Sequence, residues 1–71
     1  MQYRLKQARQ EAGMTQMQIA EALNTAQYQI YKYEAGKQEI SLARAIDLAD
    51  LYGCSLDYLA GRTELRNLAQ V

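Results

Sequence analysis

The chain has 71 residues, enough for one small domain and too few for two, and its eight basic and eight acidic side chains give zero net charge. Cys54 is the only cysteine and histidine is absent, so we expect no intrachain disulfide, no metal or other cofactor, and no enzyme activity. No stretch approaches the ~18 apolar residues of a membrane span and the N-terminus lacks a signal pattern, which indicates a cytoplasmic protein.

Apolar residues at helical spacing and a scarcity of β-branched residues predict an all-α fold, a compact bundle of five short helices. The first helix spans residues 3–12, and Gly13 follows where a left-handed C-terminal cap is common. Thr15 then caps a second helix, which Asn24 ends because asparagine tolerates a positive φ angle. A very short link joins these two helices.

The third helix contains three tyrosines within six residues. We predict that it begins at Thr25 or Ala26, of which Thr25 is the better cap, and ends near Ala35. At ~100° per residue, Ala26, Ile30 and Tyr33 fall on one face of this helix. That face is predicted to pack inward.

The opposite face of the third helix carries Tyr28, Tyr31 and Lys32, with Gln27 and Gln29 on its flanks. Single exposed apolar side chains are ordinary on protein surfaces. Two tyrosines beside a lysine on one face instead indicate a contact surface.

Ser41 caps the fourth helix and Gly53 ends it, while a short fifth helix over residues 55–60 is predicted to turn Leu56 and Leu59 inward. The predicted apolar stripe of the fourth helix comprises Leu42, Ala45, Ile46, Ala49 and Tyr52. We interpret Cys54 as a small buried apolar residue.

The sequence divides into a domain over residues 1–62 and a C-terminal tail over residues 63–71. The tail carries Leu65 and Leu68 at a spacing of three. This pattern leaves three roles open, which are a helical extension, a linker to a further domain and a dimerisation segment.

The second and third helices have the outline of a helix-turn-helix, in which the second member enters the DNA major groove. Ala20 is small enough for the helices to cross closely, Asn24 suits the turn, and Ile30 with Tyr33 anchors the second member. A larger residue at position 20 would push the pair apart. The motif therefore predicts that the tyrosine-rich face meets double-stranded DNA.

The side chains on that face match the chemistry of base edges and phosphates. Glutamine pairs both polar groups of adenine, lysine reaches guanine O6 or N7, and tyrosine bonds a phosphate or packs against a thymine methyl. Gln27 lies near the helix start, where base readout usually occurs, and is the first choice for specificity. Lys32 is the second.

Residues 4–62 resemble the lambda-repressor-like, Xre-type helix-turn-helix family of bacterial and phage regulators. The motifs that carry the resemblance are RLK, GMTQ, IAEAL, I-x-x-YE-x-GK and LYGCSLDYLAG. The resemblance implies a sequence-specific regulator of transcription, a repressor of phage, mobile-element or antitoxin type. Such a protein would bind a palindromic operator as a homodimer and associate with the nucleoid, without a small-molecule ligand.

The resemblance also implies roles for individual residues. The residues implied to contact bases are Gln27, Tyr28, Tyr31 and Lys32. The residues implied to contact phosphates are Thr15, Gln16, Gln29 and Lys37. Arg9 and Glu34 occupy positions that often form a partly buried ion pair between the first and third helices.

A rival interpretation is a protein-interaction module that uses the same fold and the same tyrosine-rich face. It is favoured by the zero net charge and by a third helix without arginine. Residues 1–38 nevertheless carry two more basic than acidic side chains, and residues 39–71 carry two more acidic than basic ones. The half that contains the tyrosine-rich helix is therefore the positive half.

Overall fold

The computed structural model describes residues 3–66, and within them the secondary structure is entirely helical. The five helices are α1 (Leu5–Glu11), α2 (Gln16–Ala22), α3 (Gln27–Glu34), α4 (Leu42–Tyr52) and α5 (Leu56–Leu59). The predicted all-α, five-helix fold is confirmed. Leu68, the second leucine of the predicted tail pattern, lies outside the described residues.

All five helices contribute to one hydrophobic core, which consists of Leu5, Ala8, Ile19, Ala20, Ile30, Leu48, Ala49, Tyr52, Tyr58 and Leu59. The most extensive helix pairing is between α2 and α3, and α1 packs against both α3 and α4. Tyr33 is half-buried against this core, as predicted, whereas Ala26 is exposed and does not belong to the inward face of α3.

The turn between α2 and α3 begins as a left-handed helix cap at Asn24, whose φ angle is 56°. The amide of Asn24 donates to the Glu21 carbonyl and that of Thr25 donates to the Ala20 carbonyl, the pattern of a Schellman motif. The prediction that Thr25 caps α3 is wrong, because α3 begins at Gln27 and the residue at its N-cap position is Ala26. Ala26 holds the N-cap position without a side-chain hydrogen bond.

The buried face of α4 matches the predicted stripe only in part, since Ala49 and Tyr52 are buried as predicted. Leu42 and Ile46 are 67% and 44% exposed, whereas Leu48, outside the stripe, is 1% exposed. Apolar residues occur on most sides of this helix, so their periodicity alone does not select the buried side. In α5, Tyr58 is buried with Leu59, and Leu56 is only half-buried.

Residues 63–66 fold back onto the helices. The Arg66 guanidinium donates to the Glu11 carboxylate and to the Tyr52 carbonyl, and its Cζ lies 5.7 Å from the centre of the Tyr58 ring. The Tyr58 hydroxyl donates to Glu11 Oε1 at 2.8 Å. Glu11 thus joins α1 to α5 and to the segment that follows it.

Acid is expected to weaken this Glu11 network. The hydrogen bond from Tyr58, followed by that from Gln7, holds the pKa of Glu11 below its ordinary value of 4.5. A carboxylate with a depressed folded-state pKa stabilises the fold above its unfolded pKa and loses that contribution as the pH falls through the folded value. We expect thermal melts at about pH 7 to separate wild type from Glu11→Gln, and this difference in melting temperature to shrink as the pH is lowered below 4.5.

The exposed carboxylate of Glu21 on α2 provides the control for this comparison. Glu21→Gln should follow the wild-type melting temperature throughout the titration. A constant difference between wild type and Glu11→Gln across the whole pH range would contradict the assignment.

Candidate nucleic-acid interface

The helix-turn-helix unit consists of α2, the turn over residues 23–26 and α3. A capping box begins it, because the Thr15 hydroxyl accepts from the Gln18 amide at 3.1 Å and Gln18 Oε1 accepts from the Thr15 amide at 2.8 Å. The Thr15 amide is therefore engaged internally. The Thr15 hydroxyl can still donate its own proton to a phosphate.

A nearly buried ion pair ties α3 to α1. Arg9 Nε donates to Glu34 Oε2 at 2.6 Å and Arg9 Nη2 donates to Glu34 Oε1 at 3.2 Å, while the two side chains are 12% and 5% exposed. Arg9 Nη1 also donates to the Met14 carbonyl at 2.9 Å. The hydrogen bond to Glu34 raises the pKa of Arg9, so the guanidinium stays charged. The expected pair is present, and it fixes the end of α3.

Gln16 connects this ion pair to the start of α3. Its Nε2 donates to Glu34 Oε1 at 2.9 Å, and its Oε1 accepts from Gln27 Nε2 at 3.1 Å. Gln27 retains one N–H donor and its Oε1 acceptor. A chain of hydrogen bonds thus restrains the Gln27 amide while leaving a donor and an acceptor for adenine.

The exposed face of α3 carries two stacked rings and Lys32, and Lys37 from the loop after α3 lies beside them. Tyr28 and Tyr31 are 64% and 41% exposed, and their ring centres are 5.9 Å apart with 19° between the planes. The Nζ of Lys32 lies 5.2 Å from the Tyr28 ring centre, and that of Lys37 lies 5.9 Å from the Tyr31 ring centre. The structure therefore brings three of the residues predicted to contact bases, Tyr28, Tyr31 and Lys32, into one cluster with Lys37, which is predicted to contact phosphate.

Charge pairing explains how a chain of zero net charge presents cations on this face. Within residues 3–66 four of the five arginines are paired with acids, namely Arg4–Glu64, Arg9–Glu34, Arg62–Asp57 and Arg66–Glu11. None of the three lysines forms an ion pair within the same residues. The acids thus neutralise arginines, and the positive charge of the α3 face is carried by lysines.

Gln29, which is predicted to contact phosphate, is half-buried. It belongs neither to the cluster of rings and lysines nor to the hydrogen-bond chain of Gln16 and Gln27. Sequence reasoning missed the bridging position of Gln16, because nothing in the spacing of residues 16, 27 and 34 shows that their side chains converge. It placed Tyr52 on the inward stripe of α4 but did not show that its buried hydroxyl has no hydrogen-bond partner among the described residues. Burial is the main cause of the raised pKa of Tyr52, with the Glu34 charge adding to it.

Tyr52→Phe is expected to leave the melting temperature unchanged or to raise it. A buried hydroxyl without a partner carries an unfavourable desolvation free energy of about 1–3 kcal/mol, which phenylalanine removes. Tyr58→Phe is the matched control and should lower the melting temperature, because the Tyr58 hydroxyl bonds Glu11 and Gln7. Thermal melts measure both, and a clear loss of stability in Tyr52→Phe would show that its hydroxyl is satisfied in solution.

The fold and this site define a helix-turn-helix domain. The chain matches the family model described as "Helix-turn-helix" over residues 5–59. It belongs to the lambda-repressor-like, Xre-type helix-turn-helix family, as its motifs predicted. Within residues 3–66 no helix is long and apolar enough to cross a membrane.

Two relatives from Bacillus subtilis (strain 168) share most of the chain. The "HTH-type transcriptional regulator ImmR" is 40% identical over 62 residues, which are 87% of this chain and 49% of that protein. The "Uncharacterized HTH-type transcriptional regulator YobD" is 36% identical over 61 residues, which are 86% of this chain and 54% of that protein. The chain therefore spans about half the length of these relatives. No solved structure is significantly similar to it.

Proposed function

We propose that the protein is a sequence-specific DNA-binding regulator of transcription. The observation that carries the proposal is the restrained Gln27 amide beside an exposed face with two lysines, at the start of the second helix of a helix-turn-helix. Membership of the family and two relatives named as transcriptional regulators support it. The DNA ligand is double-stranded, because the motif places one helix in a major groove.

Three groups of side chains divide the work of recognition in this proposal. Gln27 and Lys32 read base edges, assisted by Tyr28 and Tyr31. Phosphate contacts come from Lys37, the hydroxyl of Thr15, the remaining amide proton of Gln16, and Gln29. The Arg9–Glu34 pair contacts no DNA and holds α3 in position.

Repression by promoter occupancy is the proposed mode of action, in a regulator of phage, mobile-element or antitoxin type. A domain this small buries limited DNA surface alone, so we propose a homodimer on a palindromic operator with half-sites ~10 base pairs apart. The DNA-binding unit is residues 1–62, and the protein acts in the cytoplasm, associated with the nucleoid. A duplex with one half-site deleted should bind much more weakly than the intact palindrome.

One observation favours a second candidate function, a protein-interaction module. The exposed, stacked Tyr28 and Tyr31 rings offer apolar area that a protein partner could bury. An apolar protein interface responds little to salt, whereas phosphate contacts release counterions and weaken steeply as salt rises. Salt dependence therefore separates the two candidates.

Binding to DNA is expected to weaken steeply between ~50 and 200 mM salt. The slope of log affinity against log salt should fall by about one for each phosphate-contacting lysine removed, so Lys32→Ala with Lys37→Ala should flatten it by at most about two. Fluorescence anisotropy with a labelled duplex from the protein's own upstream region measures both quantities. Lys6→Ala, at an exposed lysine of α1, is the matched control and should retain the wild-type slope.

Absence of DNA binding at ~50 mM salt, or binding that is insensitive to salt, would refute the proposal. An unchanged slope in the double lysine variant would instead show that other groups contact the phosphates.

A further inference from the structure

The Tyr28–Tyr31 pair is the largest aromatic feature of the exposed α3 face, and the core does not explain it. The residues are three apart on the helix, so their side chains are neighbours on the surface, and their rings stack on each other instead of packing inward. Tyrosine has few rotatable bonds, and stacking restricts them further. A partner that meets this surface therefore loses little binding free energy to the ordering of side chains.

The position of the pair specifies what it meets when α3 lies in a major groove. Tyr28 directly follows Gln27, whose amide is restrained by Gln16, and Tyr31 lies one turn further along the same face. Residues that follow a base-reading side chain on a recognition helix face the adjacent base pairs. The rings therefore meet base edges next to the pair that Gln27 reads.

Ring carbons require an apolar group on the base edge. The major-groove edges of adenine, guanine and cytosine present hydrogen-bonding groups, and the methyl on C5 of thymine is the apolar exception. Ring carbons placed over a donor or acceptor would bury it without a partner, which is unfavourable. A methyl group at that position would instead add favourable apolar burial.

Resting on the proposed function, we infer that Tyr28 and Tyr31 select 5-methylpyrimidines at base pairs beside the one that Gln27 reads. Thymine and 5-methylcytosine share the recognised group. The amino groups of Lys32 and Lys37 lie over the rings, so the base contact assigned to Lys32 and the phosphate contact assigned to Lys37 would be made beside this surface. The tyrosine hydroxyls are not required for this selection.

The test begins with duplexes selected from a random pool by the full chain. Each thymine of the selected sequence is then replaced singly by deoxyuracil, which removes only the methyl group, and anisotropy gives the Kd at fixed salt. We expect at least one replacement near the half-site centre to weaken binding about threefold to fivefold, the effect of one buried methyl group. Replacing that thymine with cytosine should weaken binding, and 5-methylcytosine at the same position should restore part of the lost affinity.

The variants assign the effect to the rings. Tyr28→Ala with Tyr31→Ala should bind the thymine and uracil duplexes equally, whereas Tyr28→Phe with Tyr31→Phe should retain the wild-type preference. Leu42→Ala, at an exposed apolar residue of α4, is the control and should also retain it. Both tyrosines are exposed, so the fold is expected to survive, and thermal melts verify this.

The outcomes separate the inference from the proposed function. If no duplex is enriched, the proposed function fails and the inference fails with it. If duplexes are enriched but no uracil replacement changes Kd by more than about twofold, below the value of one buried methyl, the inference alone is overturned. A uracil effect that persists in the double alanine variant, or disappears in the double phenylalanine variant, also overturns it.

Discussion

Arg9→Ala is expected to lower the free energy of unfolding by about 3–5 kcal/mol, the range for removing one member of a buried ion pair. Glu34 is 5% exposed in the pair, so its carboxylate would be left almost without solvent and without its main cationic partner. The Met14 carbonyl would also lose its bond from Arg9. Small domains are stable by only about 5–15 kcal/mol, so a large share of the total is at stake.

Urea or thermal unfolding monitored by circular dichroism measures this loss. Arg44→Ala is the matched control, because Arg44 forms no ion pair within residues 3–66, and it should change stability by less than about 0.5 kcal/mol. The double variant Arg9→Ala with Glu34→Ala should lose less than the sum of the single losses. An unchanged melt in Arg9→Ala would contradict the structural role of the pair.

DNA affinity provides an independent measure of the same variant. Arg9→Ala retains the hydrogen bond from Gln16 to Glu34, so Gln27 keeps its restraint in molecules that are folded. At a temperature where the variant is mostly folded, its affinity for DNA per folded molecule should be close to that of wild type. A large loss of affinity in the folded variant would indicate that Arg9 itself contacts phosphate.

Gln27→Ala is expected to reduce discrimination between the preferred base pair and a substituted one by about 1–3 kcal/mol, the value of one bidentate base contact. Its affinity for a random duplex and its salt slope should stay unchanged, since the side chain carries no charge. Anisotropy measurements with matched and substituted duplexes give both quantities. Gln10→Ala, at an exposed glutamine of α1, should behave as wild type.

Gln16→Ala tests the restraint on the reader. Without the bond at 3.1 Å to Gln16, the Gln27 side chain is freer, so part of its discrimination should be lost although the side chain is still present. For Gln27→Ala itself, discrimination between the preferred and the substituted base pair as strong as that of wild type would show that another residue reads the base.

Much of the fold follows from local sequence. The caps at Thr15 and Ser41 form as expected, because each places a side-chain oxygen beside a free amide of the next turn. Asn24 adopts the positive φ angle that its side chain tolerates. Ile30 is buried while Tyr28 is exposed, as helical periodicity predicts.

Features that involve side chains from distant segments of the chain were determined only by the tertiary structure. In α4, Leu48 is buried and Ile46 is exposed because the neighbouring helices, and not the periodicity of α4 alone, determine which side is covered. Thr25 belongs to the turn that ends α2, where its amide donates to the Ala20 carbonyl, and α3 begins one residue later than a Thr25 cap would place it. The Gln16 bridge depends in the same way on where α2 and α3 meet.

The sequence by itself determined the five helices, the helix-turn-helix and the exposed tyrosine-rich face, because caps, turns and helical period act over a few residues. Only the tertiary structure decided that most arginines are paired with acids and that a bridging glutamine restrains Gln27. Hydrogen bonds and ion pairs between segments depend on distances of a few ångströms, and those distances exist only after the helices have packed.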